Sequence, residues 1–139
     1  MSTTFSAMDI GRTGVGFSHH WLDTIAHNLA NINTVTATDE EPFRALRVLA
    51  RPNPRGPFAE SGSGVHLAAQ GLDDRDAPVR FDPNHPLADE DGNVAGPVMD
   101  TVGMMSDLII AQRSYQSNLR TVQTAREAYE AALQLGRGR

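Results

Sequence analysis

Apolar residues recur with helical spacing near the start of this 139-residue chain. They lie at steps of seven, and two isoleucines follow the last two of them by three residues, which is the a/d pattern of a helix that packs against another helix. The series is Met8, Val15, Leu22 and Leu29, with Ile25 and Ile32. We therefore predict an N-terminal helix within residues 1–34.

Three glycines within this segment disfavour a helix that stands alone. Gly11, Gly14 and Gly16 each cost a helix about 1 kcal/mol relative to alanine. Because packing supplies most of the stability of helices in proteins, we expect this helix to form only when a partner covers its apolar positions.

A second helix is predicted within the C-terminal segment, residues 99–139. Asp100 is a suitable N-cap, and Gly136 and Gly138 are expected to end the helix. Between them apolar residues recur at steps of three and four. They are Val102, Met105, Leu108, Ile109, Tyr115, Leu119, Val122, Tyr129 and Leu133.

The middle of the chain, residues 35–98, holds all eight prolines and an excess of acidic residues. Short β-branched and apolar runs predict strands at Phe43–Ala50, Gly64–Gln70 and Val79–Phe81. We interpret Asp82–Pro97 as a turn-rich loop that is too polar to belong to a core.

An α+β fold follows, in which the N- and C-terminal helices pair as an antiparallel, coiled-coil-like unit and the β-rich, Pro/Gly-rich insert loops out between them. This arrangement buries one apolar seam on each helix, and the remaining apolar positions are available to other subunits. The predicted helix-seam and subunit-interface residues are Met8, Val15, Leu22, Ile25, Leu29, Met105, Ile109, Tyr115, Leu119, Val122 and Tyr129.

Composition and charge exclude several classes of function. The chain has no cysteine, so disulfide frameworks and thiolate chemistry are absent. All twelve basic residues are scattered arginines, which argues against a nucleic-acid partner. No apolar run is long enough for a transmembrane segment, and the N-terminus lacks the pattern of a cleaved signal peptide.

Two groups of side chains raise the possibility of a metal site. His20, Asp23 and His27 share a helical face and could bind Zn²⁺, although the glycine-containing segment is a poor platform for ligands. Residues 89–92 (DEDG) resemble part of a calcium loop, but that register puts Leu87 and Val98 where carboxylates are essential. We expect a polar helix face and an acidic turn instead, with no metal, no cofactor and no enzymatic activity.

Three separated motifs carry a resemblance to axial proteins of the bacterial flagellum. The run HNLANINT resembles their Asn-rich motif N-x-A-N-x-N-T, here Asn28, Ala30, Asn31, Asn33 and Thr34. The segments Phe81–Asp100 and Ala111–Arg137 are similar to those of proximal rod proteins of the basal body, in the same order. Residues 40–43 (EEPF) stand where that family often has Gly-Gly-Pro-Tyr.

The resemblance implies a structural subunit of the basal-body rod that polymerises through its terminal helices into the drive shaft that transmits torque. It implies as partners copies of the chain itself, other rod proteins, the flagellar type III export apparatus, and the base and ring proteins of the basal body. The implied location is the rod, which spans the periplasm, after export without a cleaved signal peptide. The alternative is a cytoplasmic export chaperone or adaptor that binds partner helices.

The asparagines of the motif have a physical reason of their own. Asn side chains bond nearby backbone groups and favour caps and turns. We expect them to end the N-terminal helix and to bond neighbouring backbone, with surface capping that has no intersubunit role as the alternative.

Overall fold

The computed structural model of the protein describes residues 2–54 and 62–138. One helix begins the chain, one ends it, and four strands lie between them. The elements are α1 (Ser2–Ala30), β1 (Leu46–Pro52), β2 (Val65–Leu72), β3 (Val79–Phe81), β4 (Asn93–Ala95) and α2 (Thr101–Arg137). The predicted α+β class, with terminal helices and a β insert, is confirmed.

The two helices pack against each other in antiparallel orientation through small side chains. Gly11 of α1 lies against Val122 of α2, and seven residues later the Ser18 hydroxyl donates to the Ser114 hydroxyl at 3.1 Å. Ala111 is completely buried in α2. Because small side chains occupy the contact, the helix axes can approach more closely than a leucine-lined seam allows.

The glycines of α1 are explained by this contact. A Cβ atom on Gly11 would lie 2.7 Å from Cγ2 of Val122, and one on Gly14 would lie 2.6 Å from the Asn118 carboxamide. Gly16 faces open space. The helix is continuous through all three positions, so what Gly11 and Gly14 cost in helix propensity is offset by packing on α2.

The ends of the helices follow from their caps. The Asp100 carboxylate accepts from the Gly103 N–H at 2.9 Å, which confirms the predicted N-cap of α2. The other end of α2 passes through Gly136, where a stop was expected, and ends at Arg137 before the C-cap Gly138. At the C-terminus of α1 the helix ends at Ala30, and residues 31–34 continue as turns.

The insert consists of two separate two-stranded antiparallel sheets. β1 pairs with β2, so that Leu46 lies opposite Leu72 and Pro52 opposite Val65, with an irregularity between Leu49 and Ala50. β3 pairs with β4. The bounds of β3 are as predicted. β1 and β2 begin and end one to three residues later in the chain than the predicted strands Phe43–Ala50 and Gly64–Gln70.

The prediction that Asp82–Pro97 is a loop outside the core is wrong. This segment contains β4, and Val94 within it is completely buried. The backbones of Thr36 and Ala95 exchange hydrogen bonds of 3.0 and 2.9 Å, and the Val98 N–H donates to the Phe43 carbonyl at 2.7 Å. A few apolar residues thus form the core of this part of the insert. Their run in the sequence is too short to show the periodicity of a strand.

The β1–β2 hairpin lies along α1 and is attached to it at both ends. Asn28 bonds the backbone of Leu46 at one end, and the Thr13 hydroxyl accepts from the Val65 N–H at 3.1 Å at the other. Fifteen helical residues rise about 22 Å, and a seven-residue strand spans about 23 Å. The strand and this part of the helix therefore match in length.

Two alanine substitutions test the role of the glycines in α1. Gly16→Ala is expected to stabilise the protein by up to about 1 kcal/mol, because its Cβ meets nothing. Gly11→Ala is expected to destabilise it by about 1–2 kcal/mol, because Val122 is stiff at χ1 in a helix and relief requires backbone movement. Thermal or urea unfolding of the two variants should show opposite signs, and equal stabilisation would contradict the close helix contact.

Candidate subunit-assembly surface

Asn28, the first residue of the Asn-rich motif, joins α1 to the insert. Its side chain is only 3% exposed. The carboxamide Nδ2 donates to the Leu46 carbonyl at 2.8 Å, while Oδ1 accepts from the Leu46 N–H at 2.8 Å. Asn28 thereby satisfies both backbone groups of one residue, as a neighbouring strand would do.

Asn31 closes the C-terminal end of α1. Its Nδ2 donates to the His27 carbonyl at 2.9 Å, and its Oδ1 accepts from the Thr34 hydroxyl at 3.2 Å. Ala30 and Asn33 are exposed beside it. The expectation that the motif ends the helix and bonds neighbouring backbone is confirmed for Asn28 and Asn31, and an intersubunit role stays a prediction.

A buried carboxylate fixes the open end of the β1–β2 hairpin, which is also the end that Asn28 bonds. Asp73 follows β2 and is 2% exposed. Its carboxylate accepts from the guanidinium groups of Arg75, at 2.7 and 2.9 Å, and Arg47, at 2.9 Å. Its backbone N–H donates to Ala45, and its carbonyl accepts from Arg44 at 2.9 Å. The cluster therefore connects β1, β2 and the segment that leaves them.

The charge of Asp73 is stabilised by these neighbours. Hydrogen bonds from Arg75 lower the pKa of the carboxyl far below its usual range, burial opposes this, and Arg47 lowers the pKa further. Because opposite charges and donors outweigh desolvation, Asp73 stays ionised when buried.

The predicted seam residues divide into two sets. Ile25 is buried, and the half-buried members are Met8, Val15, Leu22, Tyr115, Val122 and Tyr129. Leu29, Met105, Ile109 and Leu119 are between 36% and 51% exposed. In the single chain these four are thus not fully buried between the helices, and their place in a helix seam or a subunit interface stays a prediction.

Helical geometry explains the outward position of two of them. At 3.6 residues per turn, Met105 and Ile109 point about 120° and 160° away from Ala111, which faces α1. Ala111, Ser114 and Asn118 occupy the contact instead. Val102 and Ile110 are also exposed. The first turns of α2 are therefore apolar on the side away from α1, as is typical of a surface that another molecule covers.

The side chains considered as metal ligands serve other contacts. His19, and not His20, pairs with Asp23 at 3.0 Å between Nδ1 and Oδ2, and the His27 ring lies 5.7 Å from the Phe43 ring. Within residues 2–54 and 62–138, no three His, Asp or Glu side chains are grouped to hold a metal ion.

The acidic turn near residue 90 is organised by Asp89. Its Oδ1 accepts from the backbone N–H groups of Asp91 and Asn93 at 3.0 and 2.8 Å, and Gly92 adopts a φ of +78°. These hydrogen bonds organise the turn. In the described part of the chain, neither helix combines the length and the hydropathy of a membrane span.

Comparison with known proteins places these features in a family. The family model for the C-terminal region of flagellar basal body rod FlgEFG proteins matches residues 92–135. The flagellar basal-body rod protein FlgC of Yersinia enterocolitica is 38% identical, over 92% of this chain and 94% of that protein. FlgC of Borreliella burgdorferi is 30% identical over 96% of this chain and 98% of that protein. FlgC of Bacillus subtilis is 24% identical over 97% of this chain and 99% of that protein.

The chain belongs to the FlgC family of flagellar basal-body rod proteins. The resemblance to proximal rod proteins is thereby confirmed, and the chain is a structural rod subunit and not an enzyme. No comparison favours the alternative of an export chaperone or adaptor.

Residue patterns missed two features of this FlgC-family structure. The glycines of α1 predict weak helix positions, although Gly14 and Ser18, four residues apart, are also typical of close helix packing. Asp73 was not singled out, because an Asp among Asp74, Arg75 and Asp76 looks like a solvated turn. Its burial depends on Arg47, which is distant in sequence, together with the neighbouring Arg75, and no local pattern indicates that Arg47 reaches it.

Removal of the Asn28 carboxamide is expected to destabilise the protein. Asn28→Ala removes the side-chain partners of the N–H and carbonyl of the half-buried Leu46, which costs about 1–3 kcal/mol. The exposed Asn33→Ala variant of the same motif should change the unfolding free energy by less than about 0.5 kcal/mol. Urea unfolding measures both, and equal effects would show that Asn28 does not anchor the insert.

Acid should weaken the protein through Asp73. In the unfolded chain this group titrates near its ordinary pKa of about 3.9, and in the folded chain its pKa is lower. Its ion pairs therefore stabilise the fold fully above about pH 4, and the stabilisation is lost as the pH falls further. Unfolding measured from pH 6 to pH 2 should show a shallower loss for Asp73→Asn than for the parent, while the exposed Asp76→Asn variant should follow the parent.

Proposed function

We propose that this FlgC-family chain polymerises through its terminal helices, with copies of itself and with other rod proteins, into the drive shaft that transmits torque. The observation that carries the proposal is the apolar outer side of α2. Val102, Met105 and Ile109 follow one another at steps of three and four and remain exposed in the single chain.

The free energy available from this surface is modest for one contact and adds up when each subunit makes several. Complete burial of an Ile or Met side chain stabilises by about 1.5–3 kcal/mol. Val102, Met105 and Ile109 are already partly covered in the single chain, so their burial in one contact yields less than three times this free energy. One contact is therefore weak, and several contacts together are strong. A rod, in which each subunit meets several neighbours, gains from this arrangement.

The construction of the single subunit fits the transmission of torque. The α1–α2 contact uses small side chains at close approach, and the β1–β2 hairpin is attached along α1 through Thr13 and Asn28. Torsion applied to one helix is therefore passed to the other helix and to the hairpin through packed or hydrogen-bonded groups.

The remaining partners and the location are proposed on the family relationship. We include the base and ring proteins of the basal body and the flagellar type III export apparatus among the partners. The proposed location is the rod, which spans the periplasm, after export without a cleaved signal peptide.

Ile109→Asp tests assembly without disturbing the fold. The side chain is about half exposed, so the purified variant should keep its unfolding free energy within about 0.5 kcal/mol of the parent. A charge buried between subunits is costly, and we expect the variant to be lost from basal bodies isolated from a strain that lacks the parent gene. Electron microscopy and peptide mass spectrometry of the extract measure this loss.

The matched control is Ile109→Leu, which keeps the apolar area and should be incorporated normally. Incorporation of Ile109→Asp at the level of the parent would overturn the assignment of this face to a subunit contact.

A further inference from the structure

The C-terminal tip of α2, residues 131–137, stands apart from the rest of the molecule. Residues 131–136 are all exposed, and Leu135 is 81% exposed. The pairing of Ser18 with Ser114 places the first turn of α1 beside residues near 130, so the tip extends past α1. Four of its seven residues (AALQLGR) are alanine or leucine, and the segment 131–139 contains two arginines and no acidic residue.

A groove with complementary character lies towards the opposite end of the helix pair. It has a volume of about 540 Å³ and lies between α1, β1 and the first turns of α2. Its apolar lining includes Phe17 and Trp21, whose ring centroids are 6.1 Å apart, and Met104. Asp100 and Asp107 line it on the side of α2.

The charge of this groove is negative. Asp73 and Arg47 also line it, but they pair with each other, and Arg75 gives Asp73 a second cationic partner. In the described ranges, Asp107 forms no ion pair with an arginine, whereas the carboxylate of Asp100 caps α2 and also interacts at longer range with Arg75. An apolar segment that carries arginines matches both the aromatic lining, through cation–π contact, and the two carboxylates.

The tip of a molecule cannot reach its own groove. Both lie on the same helix, and the 28 residues from Asp107 to Leu135 span about 42 Å. We propose that the tip of one copy docks in the groove of a second copy, a contact that deepens the proposed function and rests on it. Because the two surfaces differ, the contact is head-to-tail and leaves a free tip and a free groove for further copies.

Cysteine cross-linking in assembled rods tests this contact, since the parent chain has no cysteine. A chain with both Asp107→Cys and Leu135→Cys should form a ladder of disulfide-linked oligomers on oxidation, and each single variant should form none. The control pairs Leu135→Cys with Asp39→Cys, which is exposed in a turn before the insert strands and should give no ladder.

The same contact can be measured in solution, because Trp21 is the only tryptophan and lines the groove. A synthetic peptide of residues 131–139, which lacks tryptophan, is titrated into the full chain while the emission of Trp21 is recorded. We expect a saturable change that Asp107→Arg weakens about tenfold or more and that Asp39→Arg leaves unchanged. A peptide with Arg137→Glu should bind the Asp107→Arg variant more tightly than it binds the parent.

The outcomes separate this contact from the proposed function. Absence of the ladder in rods that contain the double-cysteine chain overturns the contact while the rod assignment stands. Failure of the chain to enter basal bodies, together with saturable peptide binding, overturns the assignment and leaves the contact as a property of the isolated chain. A peptide that binds the parent and Asp107→Arg equally contradicts the role of charge and overturns the proposed recognition.

Discussion

The close contact between α1 and α2 determines most of the remaining structure. Gly11, Gly14 and Ser18 meet Ser114 and Asn118 across a surface on which larger side chains do not fit. A helix pair built in this way buries few large apolar groups, so it gains less from the hydrophobic effect than a leucine-lined pair. The pair gains van der Waals contact instead, and long apolar side chains of α2 lie outside the helix contact.

The insert depends on the helices for its position more than on its own core. Its hairpin has only two strands, and an isolated two-stranded hairpin is marginally stable. Backbone N–H groups of the hairpin donate to Asn28 and Thr13 and so hold it against α1, and the arginines around Asp73 hold its open end together. The Asn-rich motif is thus a structural joint between the helix pair and the insert within a single chain.

The sequence was sufficient to predict the class of fold, both helices, the Asp100 cap and β3, because each depends on a local pattern. Periodicity identified Met105 and Ile109 as apolar positions but could not say which side of α2 meets α1. That choice depends on the size of side chains on both helices, and Ala111 and Ser114 carry no hydrophobic signal. Likewise, Val94 is buried in strand β4, which pairs with β3, and the carboxylate of buried Asp73 accepts from Arg47, 26 positions away, so only the three-dimensional structure reveals their burial.

The same division of side chains links folding to assembly. If the large apolar residues filled the intrachain contact, the subunit would be more stable alone and would have little to gain from its neighbours. With small residues inside and Val102, Met105 and Ile109 outside, part of the hydrophobic stabilisation becomes available only when another molecule covers α2. A subunit of this kind remains a weak binder singly and becomes firmly held when several faces are covered at once, since the second and later contacts form at high effective concentration.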